Sequence, residues 1–226
     1  MLPLRSQHPI AKPVEVTGFG SWSGQDIRVE FRPAEIGTGL VFVRQDIDSH
    51  PRIPALVENR IETPLRTTLA SGGASVEMVE HILAACAGLE IDNCEIWVDQ
   101  PEMPGSDGSS LAFADALTAA GIVKQAATRE RLIVSDVTRV GDDESWVEIR
   151  PRPKGGLKVK YRLDYGSENA IGRQTIELKI TPASFRKELA SARTFLFESE
   201  AEWLRSRGLG TRVTTSDLIV FGDEGP

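Results

Sequence analysis

The stretch that decides the fold is SVEMVEHILAACAGLEIDNCEIWVDQ, residues 75–100. Apolar residues at 76, 79, 83, 86 and 87 recur at helical spacing up to Gly88, after which CEIWVDQ (94–100) alternates as a half-buried strand does. Ser75 is a candidate N-cap with Glu77 in the first turn, so the spacing predicts a helix over 76–88 that ends near Gly88. On an ideal helix, successive residues are turned by about 100°. Val76, Val79, Leu83, Cys86 and Ala87 then share one side, His81 lies nearly opposite and Glu80 sits at the edge. Met78 and Leu89 make the second side partly apolar, so the pair is expected to face a cleft or a second interface.

Working outward, PEMPGSDGSS (101–110) is turn-rich and LAFADALTAAG (111–121) reads as a second helix ending at Gly121. Upstream, GFGSWSG (18–24) carries three glycines and predicts a tight hairpin turn. IRVEFRPA (27–34) and LVFVRQDI (40–47) read as strands, LRTTLA (65–70) as a short strand, and SGGAS (71–75) as a loop that starts the helix. Periodicity lapses at KQAATRE (124–130), which divides the chain into domains 1–126 and 127–226. The second part predicts strands at 131–140, 145–151, 157–165 and 174–180, helices at 184–193 and 198–208, and a last strand at 217–223. Strands and helices do not alternate regularly, which favours α+β over a doubly wound parallel sheet. With so few helices to cover its strands, the second part is expected to leave apolar surface open.

The 226 residues carry a formal net charge of −7, which argues against nucleic acid or an anionic membrane as partner. The most basic stretch, RPRPKGGLKVKYR (150–162), alternates basic and apolar residues and is expected to form the outer face of a strand. No segment has the apolar length of a transmembrane span, and MLPLRSQHPIAKP (1–13) has no signal-peptide core, so a cytoplasmic location is expected. Cys86 and Cys94, without a CxxC spacing, are expected as small buried side chains.

Glu80–His81 leaves two readings open. One is a solvated carboxylate beside a histidine that packs. The other is a metal-bound imidazole next to a general base, since a catalytic zinc needs a neutral imidazole and a carboxylate within reach of its water. Such a site takes three protein ligands, and His8 and His50, the other histidines, show no ligand spacing.

The longer segment VEHILAACAGLEIDNCEIWVDQPEMPGSDGSS (79–110) resembles the signature of the UDP-3-O-acyl-N-acetylglucosamine deacetylase family, the zinc amidases of lipid A biosynthesis. Val79–Glu80–His81, Ala87–Gly88–Leu89, Ile91–Asp92–Asn93, Pro101–Glu102, Pro104 and Asp107–Gly108–Ser109 carry it. RPAEIGTGLVFVR (32–44), AIGRQTIEL (170–178) and SARTFLFESEAEWLRSRGLG (191–210) extend it from about residue 15 to the end. The resemblance implies two similar α+β domains, each a mainly antiparallel sheet packed with helices, with the active site between them. It implies Zn2+ as cofactor, and a UDP-linked acylated glucosamine as the substrate that loses its N-acetyl group. By the same resemblance His81 is the first-domain zinc ligand and Glu80 the general base. Thr194 and Phe195 line the substrate site, and Leu65 lines the sugar and acyl entrance. On the residues alone, Phe195 and Leu65 read equally as core.

The sequence also departs from the family. Trp22 stands in GFGSWSG where the family has histidine, and GTRVTTSD (210–217) replaces a G-G-S-x-D-N pattern, keeping only Asp217. The family completes its zinc site with an H-K-x-x-D helix and a further catalytic histidine, whereas no histidine follows His81. The resemblance therefore implies a C-terminally truncated member with an incomplete second domain and zinc-ligand set. The alternative is a catalytically inactive paralogue or fragment that binds a nucleotide-sugar lipid or a partner chain covering the second domain.

Overall fold

A computed structural model describes residues 4–153, 155–222 and 225–226. Met1–Pro3, Lys154 of the basic stretch and Asp223 of the last expected strand lie outside the described residues. The class is α+β, as the sequence predicts, with several antiparallel sheets.

In chain order the strands of the first part are β1 (Val14–Phe19), β2 (Asp26–Pro33), β3 (Leu40–Arg44), β4 (Arg52–Pro54), β5 (Arg60–Ile61), β6 (Thr68–Ser71), β7 (Ala74–Glu77) and β8 (Cys94–Val98). The helices are α1 (Glu80–Gly88) and α2 (Leu111–Ala120). The main sheet runs β1-β2-β8-β3-β4 and is antiparallel except for the β3/β8 pair. Alternation decides which side chains turn inward. Ile27, Val29 and Phe31 of β2 and Cys94, Ile96 and Val98 of β8 are buried. They pack against Ile82, Ala85 and Cys86 of α1 and Phe113, Ala114 and Leu117 of α2. Phe31 meets Phe113 edge to face, with ring centroids 6.3 Å apart. In β3, Val41 to Arg44 are all buried because the small β5-β6-β7 sheet lies close to β3 and β4.

The predicted start of α1 is corrected. Gly72 and Gly73, both with positive φ, form a two-residue hairpin loop, and residues 74–77 pair with β6 as β7. Ser75 is thus a strand residue, and the helix begins at Glu80 after Val79. Its buried face is also shifted: Ile82, Ala85, Cys86 and Leu89 are inside, Leu83 is half-buried and Ala87 is exposed. Both cysteines are free and buried, and burial pushes the Cys94 thiol up to about 12.

The ends of the first part are tied together through the IDN motif. The Asp92 carboxylate accepts from Arg5 Nη2 at 2.9 Å and from the His8 amide at 2.8 Å, and pairs with Arg129 at 2.8 Å. The Asn93 amide donates to Gln7 at 2.8 Å and to Gln125 at 2.7 Å.

The later strands are β9 (Thr138–Gly141), β10 (Trp146–Ile149), β11 (Lys158–Asp164), β12 (Arg173–Lys179), β13 (Phe195–Phe197) and β14 (Ile219–Phe221). The first of these is shorter than the predicted 131–140. They pair as β9/β10 and β11/β12 hairpins and a parallel β13/β14 pair. The helices are a short turn α3 (Pro182–Ser184), which continues as a π-helical turn Phe185–Leu189, and α4 (Glu198–Ser206). The expected uncovered apolar surface is present. Val140, Trp146, Val147 and Ile149 of one hairpin and Val159, Tyr161 and Ile176 of the other are exposed. The basic residues of β11 therefore lie on a ribbon that is open on both faces, not on the outer side of a half-buried strand. Among the described residues beyond α2, only Ile171, Phe185, Ala190, Ala201 and Leu204 are buried apolar groups. Phe185 and Ala190 join the main core, with the Phe185 ring against Gly88 of α1.

Candidate active site

Glu80 and His81 occupy the first turn of α1. A carboxylate is favoured there because the exposed N–H groups carry partial positive charge. The helix is reached through Met78, whose φ of 62° is left-handed, a conformation a Met adopts only when its surroundings hold it. The Thr67 amide donates to Glu80 Oε2 at 3.2 Å, which places the carboxylate beside the segment that leads into β6. His81 is half-buried. Burial holds its imidazole below the ordinary pKa, and the negative charges of Glu80 and Asp107 oppose that shift. An imidazole whose basicity is lowered by burial, next to an anchored carboxylate, can bind a cation or take part in proton transfer.

Asp107, which sequence reasoning quoted without a role, belongs to this group. It sits in the loop before α2, where Oδ1 accepts from the Ser109 hydroxyl at 2.6 Å and the Ser109 amide at 3.1 Å. The same loop brings in Thr194, whose amide donates to Gly108 O at 2.8 Å. Arg193 Nε donates to Asp107 O at 2.6 Å, and its Nη2 reaches Ser216 O at 2.7 Å. Asp217 accepts from the amide and hydroxyl of Thr214, both at 2.8 Å, and shapes that turn. The loop thus links His81, by charge, to Thr194, by main-chain hydrogen bonding.

The other expected site residues are less closely joined. Phe195, half-buried in β13, stacks edge-on with Phe221 at 5.6 Å and Tyr165 at 6.1 Å, so it takes part in an aromatic cluster. Leu65 is exposed with a φ of 61°, which removes the core reading, and it lies one residue before Arg66. Arg66 and Trp22 were not expected at the site. The Arg66 guanidinium lies over the Trp22 ring at 4.8 Å and donates to Glu77 at 2.5 Å. For Trp22 the sequence signal is its place in the glycine turn, where the family pattern has histidine; Arg66 has none.

Of the other histidines, His8 Nδ1 is 3.2 Å from Glu90 O and His50 meets Trp97 edge to face. Among the described residues, no group of three or more His, Cys, Asp or Glu is arranged to hold a metal ion. No helix among them is long and apolar enough to cross a membrane.

Residues 7–226 match the family model described as UDP-3-O-acyl N-acetylglycosamine deacetylase. The chain is 36% identical over 219 residues to the UDP-3-O-acyl-N-acetylglucosamine deacetylase of Shewanella sp. strain W3-18-1, covering 96% of this chain and 71% of that protein. It is 35% identical over 218 residues to the bifunctional enzyme LpxC/FabZ of Chlorobaculum tepidum. That alignment covers 96% of this chain but 46% of the relative, so the chain spans about half the length of that protein.

Proposed function

We propose that this chain, which belongs to the UDP-3-O-acyl N-acetylglycosamine deacetylase family, carries the part of a deacetylase site that supplies the general base. The substrate is the one named for its relatives, a UDP-linked 3-O-acyl-N-acetylglucosamine on the way to lipid A. Glu80 accepts a proton from the water whose oxygen adds to the acetamide carbonyl. The C–N bond then breaks, acetate leaves and the proton passes to the sugar amine. Thr67 keeps the carboxylate in place through its amide, and Thr194, Phe195 and Leu65 line the approach, between domains 1–126 and 127–226. The reading places the enzyme in the cytoplasm. The observation that carries it is the anchored Glu80 carboxylate beside the half-buried His81, in a chain matched to the family along almost its whole length.

Zinc is the metal the family resemblance implies, and His81 is the residue that would hold it. A zinc site takes three protein ligands, and the described residues do not offer three together, so they do not fit the ion by themselves. The same observation, with the open apolar hairpins, supports a second reading: a chain that binds a nucleotide-sugar lipid or a partner polypeptide without turnover.

The test is acetate release from the UDP-linked substrate by the chain and by Glu80→Gln, with zinc content measured after dialysis. Glu80→Gln is expected to lower the rate about 10²- to 10⁴-fold. Equal rates would remove Glu80 from the reaction, and substrate binding without acetate would establish the second reading.

A further inference from the structure

Glu102 is 2% exposed, yet it is a carboxylate. Its oxygens are taken by the glycine turn: the Trp22 amide donates to Oε1 at 2.8 Å and the Ser23 amide to Oε2 at 2.9 Å. Charge-assisted bonds of this kind are about twice as strong as neutral ones. The turn can come this close because residue 20 is glycine; a Cβ there would collide with the carboxylate. The main chain around Glu102 is bonded to the end of β7. The Glu77 amide donates to Pro101 O and the Met103 amide to Glu77 O, both at 2.9 Å. Glu102 therefore fastens the turn to the residue that precedes Met78.

From the turn, the Trp22 indole N–H reaches Met78 Sδ at 3.2 Å. Its ring face carries Arg66, which is paired with Glu77, the residue before Met78. Met78 is thus held at both its side chain and its N-terminal neighbour, in the left-handed conformation that sends the chain from β7 into α1. Only Val79 separates that backbone turn from the first helical turn, in which Glu80 and His81 lie.

We propose that Glu102, Trp22 and Met78 form a strut that sets the direction of α1, which makes Glu102 and Trp22 positioning residues for the Glu80–His81 pair. The inference rests on the deacetylase reading for its consequence in turnover. Its structural content can be tested without turnover.

The experiment uses heteronuclear NMR of the purified chain, reading the His81 ring peak, identified by its loss in His81→Gln, and the amides of residues 79–83. Trp22→Phe keeps an aromatic face for Arg66 but removes the indole donor, and Met78→Leu removes its sulfur acceptor. Each is expected to displace these peaks while the spectrum stays folded, and the double variant is expected to move them no further than either single one. Glu102→Gln, whose amide oxygen remains as the sole side-chain acceptor for the two N–H groups, is expected to shift the same peaks in the same direction. Peaks at wild-type positions in Trp22→Phe and Met78→Leu, or displacements that add in the double variant, would overturn the strut. Where the wild-type chain releases acetate, Trp22→Phe should lower kcat about tenfold at unchanged KM, because small misplacements of reacting groups are costly. A wild-type chain that releases none refutes the deacetylase reading and leaves the strut to the peak positions.

Discussion

Gly88 is the last residue of α1, and the side where a Cβ would project faces the Phe185 ring. Replacing it with alanine sets two effects against each other. Helix propensity and lower unfolded-state entropy favour alanine by at most about 1 kcal/mol. A methyl at that position, however, would come closer than 3.0 Å to three Phe185 ring carbons, nearer than real Cβ atoms approach anything. The ring is 4% exposed and belongs to the main core, so it must be displaced toward solvent. Burying a phenylalanine contributes about 1.5–3 kcal/mol, and Gly88→Ala should therefore destabilise by about 1–2 kcal/mol net. Phe185→Ala alone should cost about 3–5 kcal/mol through the cavity it leaves. In the double variant the new methyl fills part of that cavity, so the loss should fall short of the sum by about 1 kcal/mol or more. Urea denaturation followed by circular dichroism, with fitted m-values, measures all three. A Gly88→Ala protein as stable as wild type, or a double variant additive within about 0.3 kcal/mol, refutes the contact between α1 and the segment 182–190.

Burial keeps the His81 pKa below the unfolded value of about 6.5, so the unfolded chain takes up the proton first. Stability from this group is complete above that value and is lost as pH falls from it through the folded value. The urea midpoint of wild type should drop more between pH 7.5 and pH 5.5 than that of His81→Gln, and parallel drops would contradict the burial of the ring. Gly108→Ala forces a left-handed φ of 79° on alanine and brings its Cβ to 2.8 Å from Asp217 O. It should cost about 1–2 kcal/mol and speed proteolysis within 210–219, and wild-type cleavage rates there would refute the packing. Asp92→Asn leaves Arg5 and Arg129 without their shared counter-charge, and because both are partly solvated the loss should be about 1–2 kcal/mol, smaller in high salt. A change under about 0.3 kcal/mol would show that the clamp contributes nothing.

Alternation made β2 and β8 legible, and the 111–121 run together with Gly121 marked α2 correctly, because in those elements side-chain period and burial coincide. The start of α1 was misread for a local reason. Ser71–Gly72–Gly73–Ala74 can introduce a helix or turn a hairpin, and the choice depended on pairing with Thr68–Leu69, which periodicity does not register. Ile82 falls outside the expected face because Val76 and Val79, which define that face, precede the helix and do not mark its packed side. At the site, Glu80 and His81 stood out as an acid–imidazole pair in an apolar run. Asp107 and Arg66 did not, because their relation to the pair comes from loops that meet only after folding. Trp22 was noticed as a departure from the family pattern, but its partner Met78 lies 56 residues away.

The seam between the loop 105–110 and the segments around Thr194 and Asp217 is written mostly in main-chain atoms. Thr194 N meets Gly108 O, Ile219 N meets Thr194 O, and Arg193 grips the carbonyls of Asp107, Thr215 and Ser216. A carbonyl is the same whichever side chain its residue bears. Descendants of this chain could exchange Thr215 and Ser216 for most other residues and keep the join intact, while Gly108 and Arg193 would be held nearly fixed. A segment such as 210–217 can therefore preserve a junction that no comparison of side chains would register.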